Sequence, residues 1–230
     1  MACLYWLGRW RGLRLLRRVG AGVPRLFLDL SACRFRNVGG SCYDISINPP
    51  EKDRLMETKD YYNNFLPLVL EATFGQVEQA SVWYCDAEKV ALEVARNLDT
   101  TLEIGASVVS AFSPRERWTS NVAKAIAFSL GEKVTGLSNN LKMAQASLIL
   151  GYDALKGAKT NAFARAIAGD ENAVVVDVWM MRAAGCENDS PNKKQYVEVS
   201  QAICDIAQRF AMTPRACQAL IWILVRGSAS

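Results

Sequence analysis

A chain of 230 residues that is 50% hydrophobic is long enough to bury a sizeable core in one domain or two small ones. It contains no histidine, which excludes Ser-His-Asp and Cys-His catalysis and every metal site built on imidazole. The net charge of +4 comes from residues 1–55, with 10 Lys and Arg against 4 Asp and Glu, because residues 56–230 hold 17 against 19. Residues 56–230 are therefore not generically basic, and any DNA contact there must come from a local patch or from backbone amides.

The cysteines and the apolar runs exclude two further classes of protein. The seven cysteines are scattered and form no C-x-x-C pair, so we expect no metal site and no cofactor. Reduced thiols in the core of a cytoplasmic protein fit this pattern best. No apolar run reaches transmembrane length, so we expect no membrane partner for residues 56–230.

The N-terminal segment, residues 1–55, differs in composition from the rest of the chain. Its first part, MACLYWLGRWRGLRLLRRVGAGVPRLF, is rich in Arg, Leu and Trp and has no acid before Asp29. Three readings compete: a targeting or membrane-surface peptide, a basic nucleic-acid-binding arm, or a poorly ordered extension, including one that lies upstream of a true start at Met56. We predict the poorly ordered basic extension, followed by one domain over residues 56–230.

The pattern of residues 56–230 predicts one helix after another. The first places Tyr61, Phe65 and Leu68 at helical spacing, and the second is predicted to begin at Asp86 as its N-cap. The helices predicted after these are, in chain order, TLEIGASVVSAF, RERWTSNVAKAIAFSL, SNNLKMAQASLIL, AKTNAFARAIAG, a short helix from Asp177 through Arg182, NKKQYVEVSQAICDIAQRFA, and TPRACQALIWILVRG with Thr213 as N-cap. The run AVVVD has no strand to pair with and is predicted to be an extended, buried connection. The predicted fold class is all-α.

Four elements between residues 105 and 185 occur in a distinctive order. They are VVSAFSPRERWTSNVAKA, GLSNNLKMAQASLIL, the hairpin-like LKGAKTNAFARAI, and VVVDVWMMR. This order resembles the helix-hairpin-helix DNA glycosylase superfamily, the endonuclease III-like proteins. The resemblance implies a multi-helix glycosylase-like fold that binds DNA and removes a damaged or modified base.

The resemblance also implies which residues act. Lys159 takes the place of the family's Schiff-base lysine and Asp177 that of its catalytic aspartate, and their separation of 18 residues matches the separation expected in the family. It further implies that the hairpin residues Gly157, Ala158 and Thr160 lie against a DNA phosphate.

Other side chains are candidates for DNA contact by residue type. Arg115 and Arg117 form a local basic patch, with Lys124 further along the same helix and Arg182 five residues after Asp177. Aromatic faces stack on unpaired bases, which makes Trp118 and Trp179 candidates for base stacking.

Each candidate residue could also have a purely structural role. Lys159 could be a solvated lysine in a first helical turn, Asp177 a helix N-cap, and the tryptophans part of the core. Compared with the glycosylase pattern, the hairpin LKGAK is two residues shorter and lacks a second glycine, and Phe112 stands where the family has a wedge glutamine. These departures favour the alternative, a non-catalytic DNA-binding or protein-interaction module on the same helices.

A second group of elements spans residues 60–226. They are the dipeptide WY at Trp83, SP-x-x-x-W-x-x-N beginning at Ser113, and K-T-x-x-F…D-x-W beginning at Lys159. Together they resemble a family of uncharacterised bacteriophage proteins. That resemblance implies a phage origin and the host-cell cytoplasm as location, but no activity.

Overall fold

The computed structural model describes residues 60–227, which form nine α-helices and one 3-10 turn and contain no strand. The helices are α1 (Tyr61–Leu70), α2 (Phe74–Asn97), α3 (Leu102–Ala111), α4 (Trp118–Ser129), α5 (Ser138–Leu150), α6 (Ala158–Ile167), α7 (Val178–Ala183), α8 (Lys193–Arg209) and α9 (Pro214–Arg226). The 3-10 turn, Gly151–Ala154, follows α5 directly. The all-α prediction is confirmed, whereas the prediction for residues 1–55 lies outside the described residues.

Side-chain caps set several of the helix starts. The Thr213 hydroxyl accepts a hydrogen bond from the amide of Ala216, and Pro214 occupies the first turn of α9, as the sequence predicts. At α2 the hydroxyl of Thr73 accepts from the amide of Gln76, whose side chain accepts in return from the amide of Thr73. This reciprocal pair is a capping box.

The prediction that a helix begins at Asp86 is wrong. Asp86 lies in the middle of α2, which runs unbroken for 24 residues, and its exposed carboxylate pairs with Lys89 at 2.7 Å. Aspartate is favoured at an N-cap, but it is also tolerated on a solvent face where a lysine lies one turn later. The start of the helix is fixed instead by Thr73.

Helix α3 packs against α2, α4, α5 and α6, and helix α2 packs against α3, α4, α6 and α9. Its contact with α3 is close, since a Cβ atom added at Gly105 would overlap the backbone carbonyl oxygen of Ala91. Ala91 and Ala95, the residues of α2 nearest to Gly105, are both buried. Small residues therefore let the two backbones approach each other.

The extended connection before α7 is also as predicted. Val174, Val175 and Val176 are buried and lie in neither helix nor strand. The hydroxyl of Tyr196 secures this segment, donating to the carbonyl of Val174 at 2.9 Å and accepting from the amide of Val176 at 3.4 Å. The connection therefore holds the next residue, Asp177, at the edge of the core.

Three further findings on residues 60–227 concern membrane spans, metal sites and thiols. No helix within residues 60–227 is both long enough and apolar enough to span a bilayer. The same residues contain no cluster of three or more Cys, Asp and Glu side chains that could hold a metal ion. Cys186, Cys204 and Cys217 are free thiols, and burial raises the pKa of Cys217 to about 12. The prediction of reduced thiols is wrong for Cys85, which is disulfide-bonded.

Candidate functional site

A pocket of about 110 Å³ opens where α2, α4, α6 and α9 meet. The extended connection that leads into α7 forms a further part of its lining. Segments that lie far apart in the sequence therefore converge on one cavity. Its volume is enough for several water molecules or a small planar group.

Aromatic rings form much of the pocket wall. The ring centroid of Trp83 lies 5.5 Å from that of Trp118, 6.0 Å from that of Phe163 and 5.8 Å from that of Trp222. The rings of Trp83, Trp118 and Trp222 are only partly buried, and each lines the pocket. Such a wall offers flat apolar surface to a ligand with an aromatic face.

Lys159 is the second residue of α6 and lines the pocket with a half-buried side chain. Within residues 60–227 its amine forms no hydrogen bond and no ion pair. The N-cap residue of α6 is Gly157, which offers no side-chain acceptor to the first turn. Lys159 therefore contributes to the pocket an amine that has no partner among the described residues.

Asp177 lines the same pocket and is held by three hydrogen bonds. One carboxylate oxygen, Oδ1, accepts from the amides of Trp179 at 2.9 Å and Met180 at 3.1 Å, so Asp177 is the N-cap of α7. The other, Oδ2, accepts from the indole nitrogen of Trp222 at 3.2 Å. A carboxylate has about four acceptor positions, so Asp177 is fixed in place and still able to face a ligand.

Glu116 places a second carboxylate at the pocket, already paired within the chain. It accepts hydrogen bonds from the amine of Lys124 and, at 2.8 Å, from the hydroxyl of Ser120. These bonds hold the pKa of the Glu116 carboxyl below its usual value. Lys124, a predicted DNA contact, is thus already neutralised by a neighbouring side chain.

Three uncharged polar side chains, Ser113, Asn121 and Gln218, also line the pocket. Ser113 and Asn121 each have a buried oxygen without a hydrogen-bond partner in the described part of the chain. Gln218 is 4% exposed, and its Oε1 accepts from the hydroxyl of Tyr84 at 2.7 Å.

The predicted hairpin residues have different surroundings. Gly157 and Ala158 are exposed at the start of α6. Thr160 is buried, and its hydroxyl donates to the carbonyl of Gly157 at 3.0 Å. The backbone of this turn is accessible, whereas the threonine hydroxyl is used within its own helix.

The remaining predicted residues divide into two groups. Arg115 and Arg117 are exposed on either side of Glu116, and neither forms an ion pair within residues 60–227.

Arg182 instead donates two hydrogen bonds to Asp189, at 3.1 and 3.2 Å, and its guanidinium lies 5.2 Å from the ring centre of Trp179. Trp179 does not line the pocket, although it follows Asp177 by only two residues. The structure thus brings Lys159, Asp177 and Trp118 together and places Arg182 and Trp179 outside the pocket.

Sequence reasoning missed the contribution of α9. Gln218, Trp222 and Arg226 all line the pocket and recur at intervals of four, so they share one face of the helix. The guanidinium of Arg226 lies 4.6 Å from the ring centre of Trp222. A polar and aromatic stripe in an otherwise apolar helix was the signal in the sequence that pointed to this face.

Residues 48–229 match the model of a protein family described as Family of unknown function (DUF7178). The chain belongs to DUF7178. No curated protein and no solved structure matches it. Every residue that lines the pocket falls within the part of the chain that the DUF7178 model covers.

The WY, SP-x-x-x-W-x-x-N and K-T-x-x-F…D-x-W elements of the sequence also converge on the pocket of this DUF7178 chain. The WY pair contributes Trp83 and Tyr84, and the SP-x-x-x-W-x-x-N element contributes residues at both its ends, Ser113 and Asn121. The third element contributes its lysine, phenylalanine and aspartate. The pocket therefore gathers side chains from every one of these separate motifs.

Proposed function

We propose that the protein binds DNA and acts on a base displaced from the helix, as a DNA glycosylase with abasic-site lyase activity. The observation that carries the proposal is that Lys159 and Asp177, paired by their spacing in the sequence, line one pocket together with Trp118. Lys159 is the nucleophile and Asp177 its electrostatic and acid–base partner.

The reaction uses the amine of Lys159 in its neutral form. A base flipped into the pocket exposes the sugar carbon C1′. As the amine forms a bond to C1′, the bond from C1′ to the base breaks, and the departing base keeps the electron pair and takes up a proton. Opening of the sugar ring then gives a Schiff base, and removal of a proton from C2′ expels the 3′ phosphate and cleaves the strand.

Asp177 stabilises the positive charge that develops on the sugar while the base departs. Its three hydrogen bonds keep the carboxylate in one orientation, which is what electrostatic stabilisation of a transition state requires. Lys159 has no competing partner within residues 60–227, so its amine is available to a substrate.

A non-catalytic DNA-binding or protein-interaction module is the second candidate function. The observation that favours it is that Asp177 already serves as a helix cap and accepts three hydrogen bonds. Lys124 and Arg182 are also paired with carboxylates of this chain, which leaves fewer cations for DNA phosphates and favours the protein-interaction form of this module.

Borohydride trapping on duplex DNA with an abasic site tests the proposal directly. We expect wild-type protein to form a covalent adduct and Lys159→Ala to form none. Asp177→Asn should trap more slowly, by on the order of 10²-fold, because asparagine keeps the cap but cannot transfer the protons that Schiff-base formation requires. Lys156→Ala is the matched control, since Lys156 lies exposed three residues earlier and does not line this pocket.

Two results would overturn the lysine mechanism. One is the absence of any adduct from folded wild-type protein, and the other is an adduct that survives Lys159→Ala. DNA binding that persists without trapping would then support the non-catalytic module.

A further inference from the structure

Two buried polar groups of the pocket lack the partners that buried polar groups normally have. Asn121 is 2% exposed and its Oδ1 has no hydrogen-bond partner among the described residues, and the same holds for the buried hydroxyl oxygen of Ser113. Most buried side-chain polar atoms in proteins are paired, because an unpaired one costs free energy. Both groups line the pocket, so a bound ligand can satisfy them.

A comparison with other buried side chains shows that Asn121 has no evident structural task. Asn140 is nearly as buried, at 4% exposed, and donates from its side chain to the carbonyl of Pro114 at 3.1 Å. That bond ties α5 to the loop before α4. Asn121 holds no such connection.

Gln218 adds a third uncharged group. The hydroxyl of Tyr84 donates to its Oε1 at 2.7 Å, which leaves the amide nitrogen Nε2 without a partner within residues 60–227. The pocket thus offers a free amide donor on Gln218, a free amide oxygen on Asn121, and the hydroxyl of Ser113, which can donate or accept.

We infer that Ser113, Asn121 and Gln218 read the hydrogen-bonding edge of an uncharged nucleobase whose flat face lies against the tryptophans. Carboxamide side chains pair with the adjacent donors and acceptors of base edges, and tryptophan faces stack on bases. This inference rests on the proposed function and extends it, because it assigns the selection of the base to residues other than Lys159 and Asp177.

Tryptophan fluorescence provides the test, since Trp83, Trp118 and Trp222 line the pocket. The full-length protein is titrated with free cytosine, uracil and adenine, and with benzimidazole as a flat ligand that lacks an amide-type edge. We expect saturable quenching by at least one base and a loss of affinity of about tenfold or more in Asn121→Leu. The affinity for benzimidazole should not change.

Serine variants supply a matched pair for the same titration. Ser107 and Ser113 both have a buried hydroxyl oxygen without a partner, but only Ser113 lines the pocket. We expect Ser113→Ala to weaken base binding and Ser107→Ala to leave it unchanged. This pair decides the question even if Asn121→Leu fails to fold.

The inference is overturned if no base gives saturable quenching, if benzimidazole binds as tightly as every base, or if the Asn121 and Ser113 variants bind bases like wild type. Its failure is distinct from failure of the lyase proposal. Abasic DNA carries no base at the reacting sugar, so wild-type protein that traps abasic DNA without quenching by any base would overturn this inference and leave the lyase proposal standing. Wild-type protein that shows quenching by a base but no trapping would, conversely, overturn the lyase proposal alone.

Discussion

The negative charge of Glu116, at the pocket, contributes to the stability of the folded protein. Its bonds from Lys124 and Ser120 lower the pKa of the carboxyl in the folded protein relative to the unfolded chain. A carboxyl whose pKa is lowered by folding contributes stability above its unfolded pKa, of about 4.3, and loses that contribution as the pH falls through the folded pKa.

Glu116→Gln should therefore lower the free energy of unfolding at pH 7, and its difference from wild type should shrink as the pH falls below about 4. Urea unfolding at pH 7 and pH 3 measures both differences. Glu132→Gln is the control, since the side chain of Glu132 is exposed and forms no hydrogen bond or ion pair within residues 60–227. An effect of Glu116→Gln of equal size at both pH values would contradict the role of its charge.

The site was predictable at residue scale only where it depends on local sequence. Lys159 lies in the first turn of α6 and Asp177 caps α7, so one helix and the buried connection after it determine where the two side chains lie relative to each other. Gln218 and Trp222 lie 41 and 45 residues beyond Asp177, and their places depend on how α9 packs against α2 and α7. Spacing along the chain carries no information on that packing.

At the scale of helices, the crossing of α2 and α3 depends on one glycine. A Cβ atom at Gly105 would overlap the carbonyl oxygen of Ala91, which is backbone and cannot rotate away. Overpacking of a core typically costs about 1–3 kcal/mol, whereas glycine to alanine in a helix interior gains about 1 kcal/mol of propensity. Steric overlap with backbone lies at the costly end of that range, so the net effect is destabilising.

We expect Gly105→Ala to lower the free energy of unfolding by about 2 kcal/mol, the upper end of the overpacking cost less the gain in helix propensity, as measured by urea or thermal unfolding. Gly75→Ala is the matched control, because Gly75 lies in the first turn of α2 and has no atom within 4 Å of the position of an added Cβ. The control should be neutral or stabilising. Equal effects at both glycines would show that the crossing has room for a methyl group.

The start of a helix could be predicted from the sequence where the capping residues indicated a single position. At α9, Thr213 and Pro214 both indicate the same start. At α2 two signals competed: Asp86, a favoured N-cap type, and the pair of Thr73 and Gln76, which closes the capping box. The capping box determines the start because it satisfies two backbone amides and leaves Asp86 free to lie on the solvent face.

On the scale of the whole molecule, the proposed DNA surface depends on few cations, because residues 56–230 hold 17 Lys and Arg against 19 Asp and Glu. Arg117 immediately precedes Trp118 of the pocket and has no ion pair within residues 60–227, whereas Arg182 already pairs with Asp189. A cation that neutralises a phosphate releases a counterion, so each such contact contributes about 0.9 to the slope of log affinity against log salt.

Arg117→Gln should therefore weaken DNA binding and reduce the magnitude of that slope by about one, as measured by fluorescence anisotropy of a labelled duplex at several salt concentrations. Arg182→Gln, with the same change of charge, should leave the slope unchanged, because its guanidinium is engaged with Asp189. Equal reductions in both variants would mean that DNA binding depends on the net charge of the protein alone and not on the position of Arg117 beside the pocket. A slope near zero for wild-type protein would contradict phosphate contact altogether, and with it the proposal that this pocket receives a base from DNA.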